Sequence, residues 1–179
     1  MEVPRQPSLG AWAVLGLLCE GDAHGWALVR ALAPDGEIGR VWSIRRALVY
    51  RTVDLVVAAG TVERAGVEPG TRGSMRTLLH VTPRGRRSVA EWLAEPVLHV
   101  RELRSALLLK LLFMQRSGLD RAPLLRAQRA ILAGLVEGLA ANGADDGSFE
   151  VSVRAFRLET ARAGLRFVDG ELARAGAGA

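Results

Sequence analysis

The 179-residue chain has one cysteine, one lysine, one tyrosine and three histidines. The single Cys19 excludes an internal disulfide framework and agrees with a reducing compartment. His24, His80 and His99 are scattered, with no paired carboxylate or cysteine at ligand spacing, so no metal site is expected. No Gly-rich loop has the flanks of a phosphate cradle, and no nucleophile stands beside a base in a motif. The expectation is a protein that is not an enzyme and has no cofactor. Long hydrophobic runs are also missing. The stretch Leu9 to Cys19 is too short to span a bilayer. With Glu2 after Met1 and only Arg5 as a preceding cation, its flanks do not fit a secretion signal. A soluble, cytoplasmic chain that avoids membranes is therefore expected. Aromatic residues make up only 5%, and helix-favouring Ala, Leu and Arg dominate. At 49% hydrophobic residues and a mean hydropathy of +0.15, the chain has enough apolar material for a core.

What is present is concentrated positive charge. Residues 40–90 hold ten Arg against three acids, whereas residues 91–179 hold twelve basic and eleven acidic residues. That segment's net +7 exceeds the chain's formal +5, because the rest sums to −2, and such concentrated charge is the footprint of a polyanion binder. Except for Lys110 every basic residue is Arg, whose planar fork suits phosphate and guanine.

Cap and turn residues organise that segment. Ser8 is a good N-cap for a first helix that is apolar all round and ends at Gly21. Such a helix, with Leu15 on it, is expected to meet a second subunit. Asp22 is the candidate N-cap of a second helix carrying Trp26, Val29 and Leu32 on one face, stopped at Pro34-Asp35-Gly36. A third helix is predicted over 43–59, closed by Gly60 at C′. Two short strands follow, 62–67 and 77–81, around the turn residues 69–74. Thr82-Pro83 then opens a fourth helix.

At about 100° per residue, the third helix separates. Val49, Val53 and Val56 share one side, with Ala47, Tyr50, Arg51 and Asp54 opposite and Arg45 and Arg46 in its first turn. That arrangement predicts a helix-turn-helix reader placing Arg45, Arg46, Tyr50 and Arg51 in a major groove, with Arg72 and Arg76 on a basic wing. Arg84, Arg86 and Arg87 are further candidates for phosphate contact. Asp54 interrupts the basic face and is a candidate to orient a neighbouring Arg.

The second half reads as helices over 98–116, 121–141 and 149–174, with a break at 117–120 and a Gly/Asp-rich linker at 142–148. The last helix carries two apolar stripes. One is Val151, Leu158, Ala161, Leu165, Val168 and Leu172; the other is Val153, Phe156, Ala163 and Phe167. Two stripes suggest one face on its own subunit and one on another, which points to a homodimer, the alternative being a helix sandwiched within a monomeric bundle. The expected interface residues are Leu15, Leu107, Leu158, Leu165, Val168 and Leu172. The fold expectation is mainly α with a small two-stranded wing. It comprises a winged-helix DNA-binding domain over 1–96 and a helical dimerisation domain over 97–179.

Several residue sets also resemble the PadR family of bacterial winged-helix regulators across about residues 9–95. They are Leu15-Gly16-Leu17-Leu18, Gly21, His24-Gly25-Trp26, Val49-Tyr50 with Val53 and Val56, Gly60-Thr61-Val62-Glu63, and Thr82-Pro83-Arg84-Gly85. The helical second half is similar to the family's longer branch. The resemblance implies a dimeric repressor on a palindromic double-stranded operator, released by a small molecule. It further suggests a flat hydrophobic or aromatic effector near Trp12 and Trp92. The sequence departs from the family where the third helix begins. Arg45, Arg46, Ala47 and Leu48 replace small polar residues, and Arg51 replaces a proline. A competing expectation from the residues themselves is a module that docks a protein through Leu48, Leu55 and Val57.

Overall fold

The computed structural model describes residues 7–69, 75–141 and 149–176. They divide into two compact units, Met1–Trp92 and Leu93–Ala179.

In the first unit, α1 (Leu9–Glu20) starts where the Ser8 hydroxyl accepts the Ala11 N–H at 3.2 Å. Ala11, Ala13, Val14, Leu15 and Leu18 on it are buried. The expected cap of the second helix is corrected. Asp22 faces the His80 ring at 2.7 Å, and His24 caps instead, its Nδ1 accepting the Ala27 N–H at 3.0 Å. Residues 23–24 are thereby drawn out as β1 (Ala23–His24), and α2 (Gly25–Ala31) is only two turns long. After a run of turns comes α3 (Arg46–Ala58), which buries Val49, Val53 and Val56 at i, i+4 and i+7 spacing. Gly60 follows at φ +68, a left-handed position that costs glycine little, and its N–H donates to the Val57 carbonyl.

β2 (Val62–Pro69) and β3 (Met75–Val81) form the antiparallel hairpin, with a register shift between Arg64 and Gly66 that bulges β2. β1 pairs with β3 through Ala23↔Leu79 and His24↔Leu78. The sheet order is therefore β1-β3-β2, three strands where the sequence predicts two. A two-residue strand has no periodicity to read. Thr82 caps α4 (Pro83–Ala94) by accepting the Gly85 N–H, and its hydroxyl donates to the Gly60 carbonyl, joining two chain turns. Three helices, a hairpin and a closing helix in this order, on a three-stranded sheet, make the unit a winged helix.

The regular elements described in the second unit are all helices. The stretch expected as one helix is three conformations in series. They are a 3₁₀ turn at Val100–Glu102, a π-helical turn at Leu103–Leu107 and then α5 (Leu108–Arg116). Gly118 at φ +66 breaks the chain where the sequence predicts. α6 (Ala122–Ala141) and α7 (Phe149–Gly176) pack against each other. The expected linker at 142–148 lies outside the described residues, as do residues 177–179 of the tail.

The core of this unit includes Leu107, Leu109, Phe113, Leu124, Leu125, Leu132 and Val168, with two polar residues among them. Gln128 is fully buried. Its Oε1 accepts the Val97 N–H at 2.8 Å and its Nε2 donates to the Val97 carbonyl at 3.0 Å. Lys110 is 3% exposed and donates from Nζ to the Glu95 carbonyl at 2.6 Å. Burial pulls its pKa down to about 8 against the raising influence of Glu95 and Glu102. Two long polar side chains thus hold the irregular segment 95–97 in place.

Candidate nucleic-acid interface

The burial of its valines fixes which side of α3 faces solvent. Arg45, Arg46, Ala47, Leu48, Arg51, Asp54 and Leu55 are exposed, and Tyr50 is 38% exposed. Arg45 occupies the N-cap and makes no side-chain cap bond. Arg45, Arg46 and Arg51 form no ion pair among the described residues, so their charge is not cancelled locally.

The face is more built than a solvated helix requires. The Arg46 guanidinium lies over the Trp26 ring at 5.4 Å and over the Tyr50 ring at 5.8 Å, both within cation–π range. Tyr50 reaches this place because residue 25 is glycine. A Cβ there would stand 2.8 Å from Tyr50 Cε1. Trp26 is 45% exposed rather than packed with Val29 and Leu32. At about 100° per residue Trp26 lies roughly 60° from Val29 and roughly 120° from Leu32, which is itself the C-cap beyond α2, so Trp26 falls at the edge of the buried side.

Asp54 is engaged with Arg64 of β2 at 3.0 Å, an exposed pair that neutralises one cation beside the reading face. Arg64 was not among the expected site residues, since a helix-to-strand pair ten residues apart leaves no sequence pattern. Arg76 on β3 is half-buried, with Nη1 3.2 Å from His24 Nε2. A neutral imidazole has one lone pair, so the α2 cap at Nδ1 and the Arg76 contact at Nε2 compete for it. Between α2, α3 and the hairpin lies an open cleft of ≈ 340 Å³, lined by Trp26, Tyr50, Asp54, Arg64, Met75 and Arg76. Arg72, expected on the wing, lies outside the described residues. Arg84 and Arg87 are exposed, while Arg86 donates to the Cys19 carbonyl at the end of α1 at 3.2 Å.

The remaining expected sites are placed as follows. Trp12 and Trp92 stack on each other with centroids 5.1 Å apart and planes 8° apart. Each ring covers a face of the other, and a flat molecule would have to part them. Leu15, Leu107 and Val168 are 0–1% exposed within the single chain. That corrects their expected place in a subunit interface, because they have no surface left to bury. Leu158, Leu165 and Leu172 are half-buried, and on the same helix Phe149 and Phe156 are 81% and 74% exposed. Among the described residues no three His, Cys, Asp or Glu side chains cluster to hold a metal, and no helix is long and apolar enough to cross a membrane.

No protein-family model matches the chain, and no curated protein does. The chain is similar to several solved PadR and PadR-like structures. Bacillus subtilis PadR in complex with operator DNA is 18% identical, with 90% of this chain and 97% of that one covered, at a TM-score of 0.46. The PadR-like transcriptional regulator BC1756 from Bacillus cereus is 16% identical, with 97% and 99% covered, at 0.43. The Vibrio cholerae virulence activator AphA is 22% identical, with 96% and 100% covered, at 0.40.

Proposed function

We propose that this chain is a sequence-specific DNA-binding transcriptional regulator of PadR-like type. It acts as a cytoplasmic homodimeric repressor on a palindromic operator and is not an enzyme. The observation that carries this reading is the outer face of α3. Arg45, Arg46 and Arg51 are exposed there without a carboxylate partner among the described residues, on a helix whose other side is anchored by three buried valines. An α-helix of this kind fits the major groove, and its arginines can take base edges or phosphates. Arg76 would reach the neighbouring groove from the hairpin. Pairing through α7, which exposes Phe156 on the side opposite the half-buried Leu158, Leu165 and Leu172, would set two such helices about one DNA turn apart (~34 Å). A hydrophobic or aromatic effector near Trp12 and Trp92 would act by separating the stacked rings.

The test is selection of duplexes from a random pool, followed by gel shift at physiological salt. The expected result is an inverted repeat bound by a particle of twice 19.2 kDa, as measured by sedimentation. Arg51→Ala should weaken binding to it and make log K against log salt shallower by about 0.9, without changing the mass. Full affinity in that variant removes Arg51 from the site. A second reading has its own observation. Leu48 and Leu55, 50% and 60% exposed, lie on the same helix and fit a protein-docking surface. Absent or salt-insensitive DNA binding would favour it.

A further inference from the structure

Arg46 differs from its neighbours on α3. It alone among the three exposed arginines lies over aromatic rings, one from its own helix at i+4 and one from α2. A guanidinium has five N–H donors and no acceptor. Contact with a ring face involves its charge and its flat surface, so the donors stay available to a ligand. An arginine in water must be immobilised before it can present a two-pronged fork, and that ordering lowers affinity. Here the ordering exists before any ligand arrives. No carboxylate among the described residues competes for Arg46. Gly25 is part of the device, since a side chain at that position would push on the Tyr50 ring.

We infer that Trp26 and Tyr50 hold Arg46 as a guanine reader, so that the half-site contains a G·C pair recognised through its O6 and N7 edge by Arg46. This rests on the DNA-binding reading above and assigns the roles within it. Arg46 touches the base. Trp26 is a positioning residue that acts through Arg46. Tyr50 supports the guanidinium and is not itself the base reader. Arg45 and Arg51 have no such support, and contact with phosphates, which need no fixed fork, suits them.

The test uses the full chain and compares the duplexes selected by the wild type, Arg46→Ala, Trp26→Phe and Trp26→Leu. Circular dichroism melts accompany each variant. Arg46→Ala should lose its preference at one G·C pair per half-site, by about 5- to 150-fold, and keep the rest of the motif. Replacing that guanine by 7-deazaguanine should weaken the wild type and leave Arg46→Ala unchanged. Trp26→Phe keeps a ring and should retain the preference. Trp26→Leu keeps apolar bulk without a ring and should lose about three- to thirtyfold of it. A purely structural Trp26 would move both variants alike, and that result overturns the positioning role. An unchanged motif in Arg46→Ala overturns guanine reading while leaving DNA binding intact. A wild type that enriches no sequence defeats the DNA-binding reading itself.

Discussion

On α3, Arg45, Arg46 and Arg51 stand in solvent with no carboxylate partner among the described residues. On α6 and α7, by contrast, Arg129, Arg162 and Arg174 each sit against an Asp or Glu. Such exposed pairs add little stability, but they cancel the field of each cation. Unpaired arginines keep theirs, and a cluster of them draws in a polyanion. The polar interior divides the other way. The helical unit buries Gln128 and Lys110 and bonds each to a main-chain group, whereas Thr52 is the only buried polar side chain described in the winged helix. The helical unit thus bonds polar side chains in its core, while the winged helix gathers at the start of α3 three arginines that no carboxylate among the described residues offsets.

The interior half of that contrast can be broken at Gln128. Gln128→Leu preserves bulk but leaves the buried Val97 N–H and C=O without their partner. Two unsatisfied main-chain groups should cost roughly 2–4 kcal/mol. Urea denaturation checks this, and a loss below 1 kcal/mol would mean that the segment relaxes onto water.

Lys110 sharpens the contrast through pH. Its folded pKa of about 8 lies below the ordinary 10.5, so between those values the unfolded chain binds more protons than the folded one. Stability from this group is therefore lowest below pH 8 and rises towards pH 10.5. Unfolding free energy should increase by about 2 kcal/mol from pH 7.5 to pH 9.5, and Lys110→Met should remove that increase. An identical pH slope in the two proteins would show that Lys110 carries its charge at no cost.

The smallest expected effect tests the exterior half. Asp54→Asn releases Arg64 from its pair and removes an anion beside the reading face. DNA affinity should rise about two- to fivefold, with log K against log salt steeper by about 0.9 for one further phosphate contact. A titration across salt concentrations reads both quantities. Lower affinity would mean that Asp54 is needed to orient Arg64.

Local chemistry explains what was legible in the sequence. Ser8 and Thr82 mark helix starts through bonds that span three residues, Gly60 marks an end by its φ, and the valines of α3 sort by period alone. The arginine face followed from that sorting. Features that depend on distant partners were not legible. β1 exists because β3 passes beside it, Arg64 meets Asp54 across a helix-strand junction, and Arg46 finds Trp26 across two helices. Nor does the sequence mark the change from 3₁₀ to π to α across 100–116. Leu15, Leu107 and Val168 give a related lesson. Spacing shows which residues are apolar together, but not whether their own chain already covers them.

The inward position of Lys110 has a practical corollary. It is the chain's sole lysine and it is shielded, so reagents that couple to primary amines meet no lysine on the described surface. Failure of such a reagent to join two copies would say nothing against self-association, and carboxylate-directed or photochemical coupling would be needed to capture it.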